Sequence, residues 1–179
     1  KVDNYDITFE VDNDAFAIKP ALLDVIVDAD QSKSYGEKDP IFSYTVLGLV
    51  NGDDESVISG ALSREEGEDS GTYDIELGNL SAGANYQINF ITNTFTINQG
   101  VLYVTVNPGQ GKQYGETDPP LSFSVEGFVN GDDDSILSGA LIRQEGENVG
   151  SYAVELGNLS AGSNYRIHFI ATDFTVTPA

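Results

Sequence analysis

Apolar and polar residues alternate in short runs along this chain: Leu23, Val25 and Val27, then Phe42, Tyr44 and Val46, then Tyr73, Ile75 and Leu77, and lastly Tyr86, Ile88 and Phe90. A period of two places each set on one face of a strand, because successive side chains of an extended backbone point to opposite sides. Two further strands are expected over 62–65 and at Phe95-Thr96-Ile97, which makes about six short strands in this stretch. Asn51-Gly52 signals a turn, 67–71 a hairpin turn and 80–84 a loop. Asp53 is placed to cap a single helical turn over 54–59 that Gly60 stops, and no other helix is expected.

The same pattern returns further along. Tyr35-Gly36-Glu37 falls on Tyr114-Gly115-Glu116, a shift of 114 − 35 = 79 residues, and the register then holds without a gap. Under that shift Val50-Asn51-Gly52-Asp53-Asp54 meets Val129-Asn130-Gly131-Asp132-Asp133, and Gly78-Asn79-Leu80-Ser81-Ala82-Gly83 meets Gly157-Asn158-Leu159-Ser160-Ala161-Gly162. The period is a whole domain, so the chain divides into a module over 21–99 and a second over 100–179. Residues 1–20 match a closing hairpin: Asn4-Tyr5-Asp6-Ile7-Thr8-Phe9 lies on Asn85-Tyr86-Gln87-Ile88-Asn89-Phe90, and Phe16-Ala17-Ile18 on Phe95-Thr96-Ile97. They are read as the end of a preceding repeat in a longer array, packed on repeat one or on another chain. Only Pro20-Ala21 and Asn98-Gln99-Gly100 separate one copy from the next, too few residues for a flexible tether, so stacked modules forming a rod are expected.

Composition narrows the partners. The 40% hydrophobic content of 179 residues suffices for real cores. Twenty-nine Asp and Glu against eight Lys and Arg give a formal charge of -21, which repels nucleic acid and anionic membrane surfaces. No run is long and apolar enough to insert into a membrane, and the first residues lack the pattern of a signal peptide, so targeting and anchoring segments are expected elsewhere in a longer protein. There is no cysteine, which removes disulfides, zinc-thiolate sites and thiol nucleophiles.

Lys33-Ser34-Tyr35-Gly36-Glu37-Lys38-Asp39-Pro40 and Lys112-Gln113-Tyr114-Gly115-Glu116-Thr117-Asp118-Pro119 resemble the signature of the bacterial MBG domain of the YGX type. The resemblance extends over nearly the whole chain, through Ser59-Gly60-Ala61-Leu62-Ser63-Arg64, Gly71-Thr72-Tyr73 and Asn85-Tyr86 and their partners one period on. It implies tandem modules of a large secreted or surface-anchored bacterial protein of adhesin or matrix type.

Several residues invite a chemical reading. Asp53, Asp54 and Glu55, with Asp132, Asp133 and Asp134, are the densest acidic clusters, and neighbouring loop carboxylates can gather around calcium. They lack the spacing of a calcium-binding helix-loop-helix, and capping explains them equally well. Asp28, Asp30 and Glu37 are a weaker set, since the first two become Asn107 and Gly109 in repeat two. Tyr35 and Tyr114 are expected to plug into their module's edge with the phenol bonded to backbone. Lys33 and Lys112 recur in a Lys-poor chain. An isopeptide bond would need each buried beside carboxyl groups, and a solvent-facing lysine is the simpler expectation. Arg64 and Arg143 are expected to clamp Glu or backbone carbonyls locally. The only histidine, His168, has Asn89 and Thr8 as equivalents and falls on the outer face of its strand, which leaves no Ser-His-Asp arrangement. A carboxylate pair for sugar hydrolysis would need a cleft that modules this small do not supply.

The expected fold is therefore mainly β: two tandem modules, each a compact sheet or sandwich with one short helical turn. A β-grasp-like α+β arrangement is the alternative. The expected function is a non-catalytic spacer or stalk of an extracellular, cell-surface or secreted protein, with neighbouring repeats as partners. The rival is a module that binds glycan or a host-surface protein, with or without calcium. Nearly every aromatic falls on a core-facing position, which favours the spacer, and Tyr103 is the clearest exception.

Overall fold

The computed structural model describes residues 18–179, so the expected packing of the leading hairpin lies outside the described residues. The alternating runs become strands. Module 1 contains β1 (Ala21–Val27), β2 (Gln31–Ser34), β3 (Tyr44–Leu47), β4 (Ser63–Arg64), β5 (Gly71–Glu76), β6 (Tyr86–Ile91) and β7 (Thr94–Asn98). Module 2 repeats them as β8 (Gly100–Val106), β9 (Gly111–Gln113), β10 (Phe123–Glu126), β11 (Ile142–Arg143), β12 (Gly150–Glu155), β13 (Tyr165–Ile170) and β14 (Asp173–Thr177). The strand that alternation misses is β2, and β9 with it. Gln31-Ser32-Lys33-Ser34 holds no large apolar residue, yet it hydrogen-bonds to β7 and buries its lysine.

Each module folds as two small curled sheets. One has the order β3-β1-β6 and the other β2-β7-β5-β4, with β10-β8-β13 and β11-β12-β14-β9 as their counterparts. Strand β1 pairs parallel with β6, and β2 parallel with β7, so the bent segments 21–34 and 86–98 run side by side through both sheets. The chain changes sheet at 28–30, where Asp30 has φ 62°, and again at Thr92-Asn93. Side chains of the two sheets meet in a shared core that includes Val25 and Val27 of β1, Ile75 of β5 and Phe95 and Ile97 of β7. The connections add Phe42, Leu62 and Leu80, and the Phe42 ring stands edge-on to Phe95 at 5.2 Å.

The architecture is mainly β, and among the described residues no helix crosses a sheet, so the β-grasp arrangement does not form. The helical turn is shorter than the sequence suggests: a 3-10 turn at Glu55–Val57, repeated at Asp134–Ile136. Its cap is Asp54, not Asp53. Asp54 is extended (φ -123°) and its carboxylate accepts from the Ser56 amide, as Asp133 does from Ser135. The turn ends at Ile58, which returns to extended geometry before Gly60 is reached. No helix among the described residues is long and apolar enough to cross a membrane.

Candidate functional site

Two arrangements bring recurrent polar residues together: an ion cluster inside each module and a joint between the modules. In the first, β2 delivers Lys33 and β4 delivers Arg64 to the same two carboxylates. Lys33 Nζ meets Asp39 at 2.7 Å and also donates to Glu68. Arg64 Nε and Nη2 grip both oxygens of Asp39 at 2.7 and 3.1 Å, and Nη2 reaches Glu68 at 2.7 Å. Its Nη1 donates to the carbonyls of Glu65 and Gly67, while the guanidinium lies over the rings of Tyr73 and Phe95. Module 2 repeats the cluster with Lys112, Asp118, Arg143 and Glu147. Arg64 and Arg143 thus clamp Glu and backbone carbonyls as expected, and Asp39 of the signature in addition.

The lysines depart from expectation. Lys33 and Lys112 do not face solvent; they are 6% and 8% exposed. Burial is tolerated because their stems cover apolar surface and each ammonium has carboxylate partners. Burial would lower the Lys33 pKa, but the hydrogen bonds that its ammonium donates to Asp39 and Glu68 outweigh it and raise it. Arg64, and then Lys33, hold the Asp39 carboxyl below its usual range, and Arg143 with Lys112 hold Asp118 at about 2. An amide between lysine and aspartate requires a neutral amine and a protonated acid. Both groups here are held in the opposite states, so the geometry that brings them together stabilises an ion pair.

The joint is built from the other half of the signature. Only Gln99 separates β7 of module 1 from β8 of module 2. Tyr35 leaves β2 and projects across the boundary, where its ring stands edge-on to Tyr165 at 5.2 Å and its hydroxyl donates to Asp132 at 3.1 Å. Tyr165 also donates to Asp132, at 2.8 Å, and accepts from the Val129 amide at 3.0 Å. Burial and then the Asp132 carboxylate raise the Tyr165 pKa, which keeps its proton in place as a donor. Gly36 lies so close to Val129 that an added methyl group would come within 2.5 Å of it. Around this centre Ser70 donates through its amide to Asn164 (2.8 Å) and through its hydroxyl to the Ser163 carbonyl (2.7 Å). The Asn164 amide donates to Asp69, and Gln99 to Ser163. One apolar cluster runs through the boundary, joining Phe95 and Ile97 to Leu102, Ala161 and Tyr165.

These contacts correct the expectation for the signature tyrosines. Tyr35 fills its neighbour's edge rather than its own and bonds a carboxylate rather than backbone, while Tyr114 is 54% exposed. Asp69, Ser70, Ser163 and Asn164 were not legible as joint residues, although the recurrence of Asn85-Tyr86 as Asn164-Tyr165 was a signal that could have found one of them.

The acidic loops divide into separate roles. Asp53 accepts from Tyr86 at 2.7 Å as Asp132 does from Tyr165, Asp54 and Asp133 cap the 3-10 turns, and Glu55 and Asp134 occupy their first positions. Among the described residues no group of three His, Asp or Glu side chains is arranged to hold a metal ion. His168 is exposed on β13 and stands edge-on to Tyr103 of β8, its cross-strand partner. Asn89 and Asp24 occupy the same two places in module 1 and hydrogen-bond at 2.8 Å, so both pairs decorate the outer face of a parallel strand pair.

The family model of the MBG domain (YGX type) matches the chain twice, over residues 23–96 and 102–175. No curated protein and no solved structure matches it. The two matches span most of the chain, coincide with the two repeated folds, and contain both the ion cluster and the tyrosine joint; the chain belongs to the MBG domain family of the YGX type.

Proposed function

We propose that this chain is a non-catalytic spacer, two rungs of a stalk in a bacterial cell-surface or secreted adhesin-like protein. The observation that carries the reading is the joint. Tyr35 of one module is seated on Tyr165, Asp132 and Val129 of the next, over a single linking residue and a continuous apolar cluster. A spacer must transmit position, and a joint fixed by a buried ring and several hydrogen bonds does so where a tethered pair would not. The few cations support the same role: four of the eight Lys and Arg lie in the ion clusters that bind the β4–β5 turn to the signature segment. The strong negative charge keeps such a rod soluble and discourages lateral association.

Amide ¹⁵N relaxation tests this directly. One shared, anisotropic tumbling time for both modules is expected, whereas two independent times would remove the spacer reading. A glycan-binding role rests on Tyr103, half exposed on module 2 alone; chemical-shift changes centred on Tyr103 and His168 on adding oligosaccharides would favour it.

A further inference from the structure

The two modules hold their signature loops in the same conformation but in different surroundings. The Tyr35 amide donates to Asn98 and the Tyr114 amide to Thr177, each at 2.8 Å, and Gly36 and Gly115 have φ of 86° and 87°. Glu37 and Glu116 accept from the amides of Ser34 and Gln113. Yet Tyr35 is 9% exposed and Tyr114 54%, and the Tyr114 hydroxyl meets no polar group among the described residues. Beside it Val149, which stands where Ser70 makes its joint contacts, is 56% exposed. Module 2 thus presents a preformed Tyr-Gly end that no described residue covers.

The socket such an end fits occurs twice in the chain. Val129, Asp132 and Tyr165 form the filled one. Val50, Asp53 and Tyr86 form the same hydrogen bonds, with the Tyr86 hydroxyl donating to Asp53 at 2.7 Å and accepting from the Val50 amide at 3.1 Å. We propose that the Tyr114–Val149 end is the donor half of a further joint, and that it takes a module of this same family, of the first type, which presents the socket that Val50, Asp53 and Tyr86 form. The seam sequence selects that type: Pro178-Ala179 is identical to the Pro20-Ala21 that leads into β1, whereas Gln99-Gly100 leads into β8. Val149 lacks the hydroxyl that Ser70 donates to the Ser163 backbone carbonyl, so this further joint forms without that hydrogen bond. The inference rests on the spacer reading and extends it by naming the residues of the next joint.

The experiment fuses a second copy of residues 22–99 after Ala179 and compares tyrosine nitration, mapped by peptide, in the present and extended chains. In the present chain Tyr114 reacts and Tyr35 is protected. In the extended chain Tyr114 reacts about tenfold more slowly or less, as a ring that must undock first does, and Y114A restores independent tumbling of the added module. If Tyr114 stays as reactive as before while Tyr35 stays protected, the inference falls and the spacer reading stands. If Tyr35 reacts freely in the present chain, the joint itself is absent and both fall. Y114A in the present chain leaves the unfolding midpoint unchanged where Y35A lowers it. An equal fall for both variants would make Tyr114 an internal support and overturn the proposal even if the added copy does not fold.

Discussion

The ring of Tyr35 stands edge-on to the ring of Tyr165 at 5.2 Å and 79°, across the boundary between modules and 130 residues apart in sequence (165 − 35 = 130). Both hydroxyls converge on one carboxylate oxygen of Asp132. The module boundary is therefore a small core with a polar centre rather than a hinge. Removing the ring by Y35A is expected to cost about 3 kcal/mol of coupling, the lower end for deleting a buried aromatic side chain because one side of the joint opens to solvent. Y35F loses only a hydrogen bond, about 0.5–1.5 kcal/mol. Relaxation of the variants checks this: Y35A separates the tumbling of the modules and Y35F does not.

Gly36 and Gly115 provide a matched pair. Both have a φ near +86°, which side chains with a Cβ rarely adopt, so alanine at either position carries the same backbone penalty of about 1 kcal/mol. Only at Gly36 does the added methyl strike a neighbour, the Val129 side chain, while nothing lies within 4 Å of the Gly115 position. G36A is expected to lower the unfolding midpoint more than G115A. Equal falls would mean that Val129 moves aside without cost.

Asp39 neutralises two cations whose side chains are 3% and 6% exposed. D39A leaves Lys33 and Arg64 with Glu68 alone, and the loss is expected near the lower end of the about 3–5 kcal/mol for breaking a buried pair, because Asp39 itself is partly exposed. Chemical denaturation measures it. The intact mass of the wild-type protein is expected to equal the sum of its residues, with no loss of water, since Lys33 and Asp39 form an ion pair and not an amide.

Acid should weaken the clusters in a defined window. Asp118 titrates near 2 in the folded protein because Arg143 and Lys112 favour its charged form, against about 3.9 when unfolded. Between those values the unfolded chain binds more protons, so this contribution to stability is fully present above about pH 4 and lost as pH falls towards about 2. The stability difference between wild type and D118N is expected to shrink over that range, and a difference independent of pH would show that the pairing is absent.

Calcium is the remaining question for the acidic loops. The carboxylates of Asp53 and Asp132 accept from tyrosine hydroxyls, and those of Asp54 and Asp133 from serine amides. Excess calcium, compared with chelator, is expected to leave the unfolding midpoint unchanged. A rise of many degrees would show that a cation is bound by the folded state alone.

The period of 79, the alternating strands and the family are properties of the sequence by itself. Alternation at Leu23, Val25 and Val27 reports which face of a strand is apolar, and that face is buried in any sheet the strand joins. What the sequence lacked was any sign of β2, whose burial rests on a lysine, or of the partners of that lysine, one of which is 35 residues away. Nor does it separate Tyr35 from Tyr114, which sit in nearly the same local sequence and the same backbone conformation. Only the tertiary structure decides that one is buried and the other exposed, because burial at the end of a module depends on whether a neighbour's socket covers it, and no local pattern carries that information.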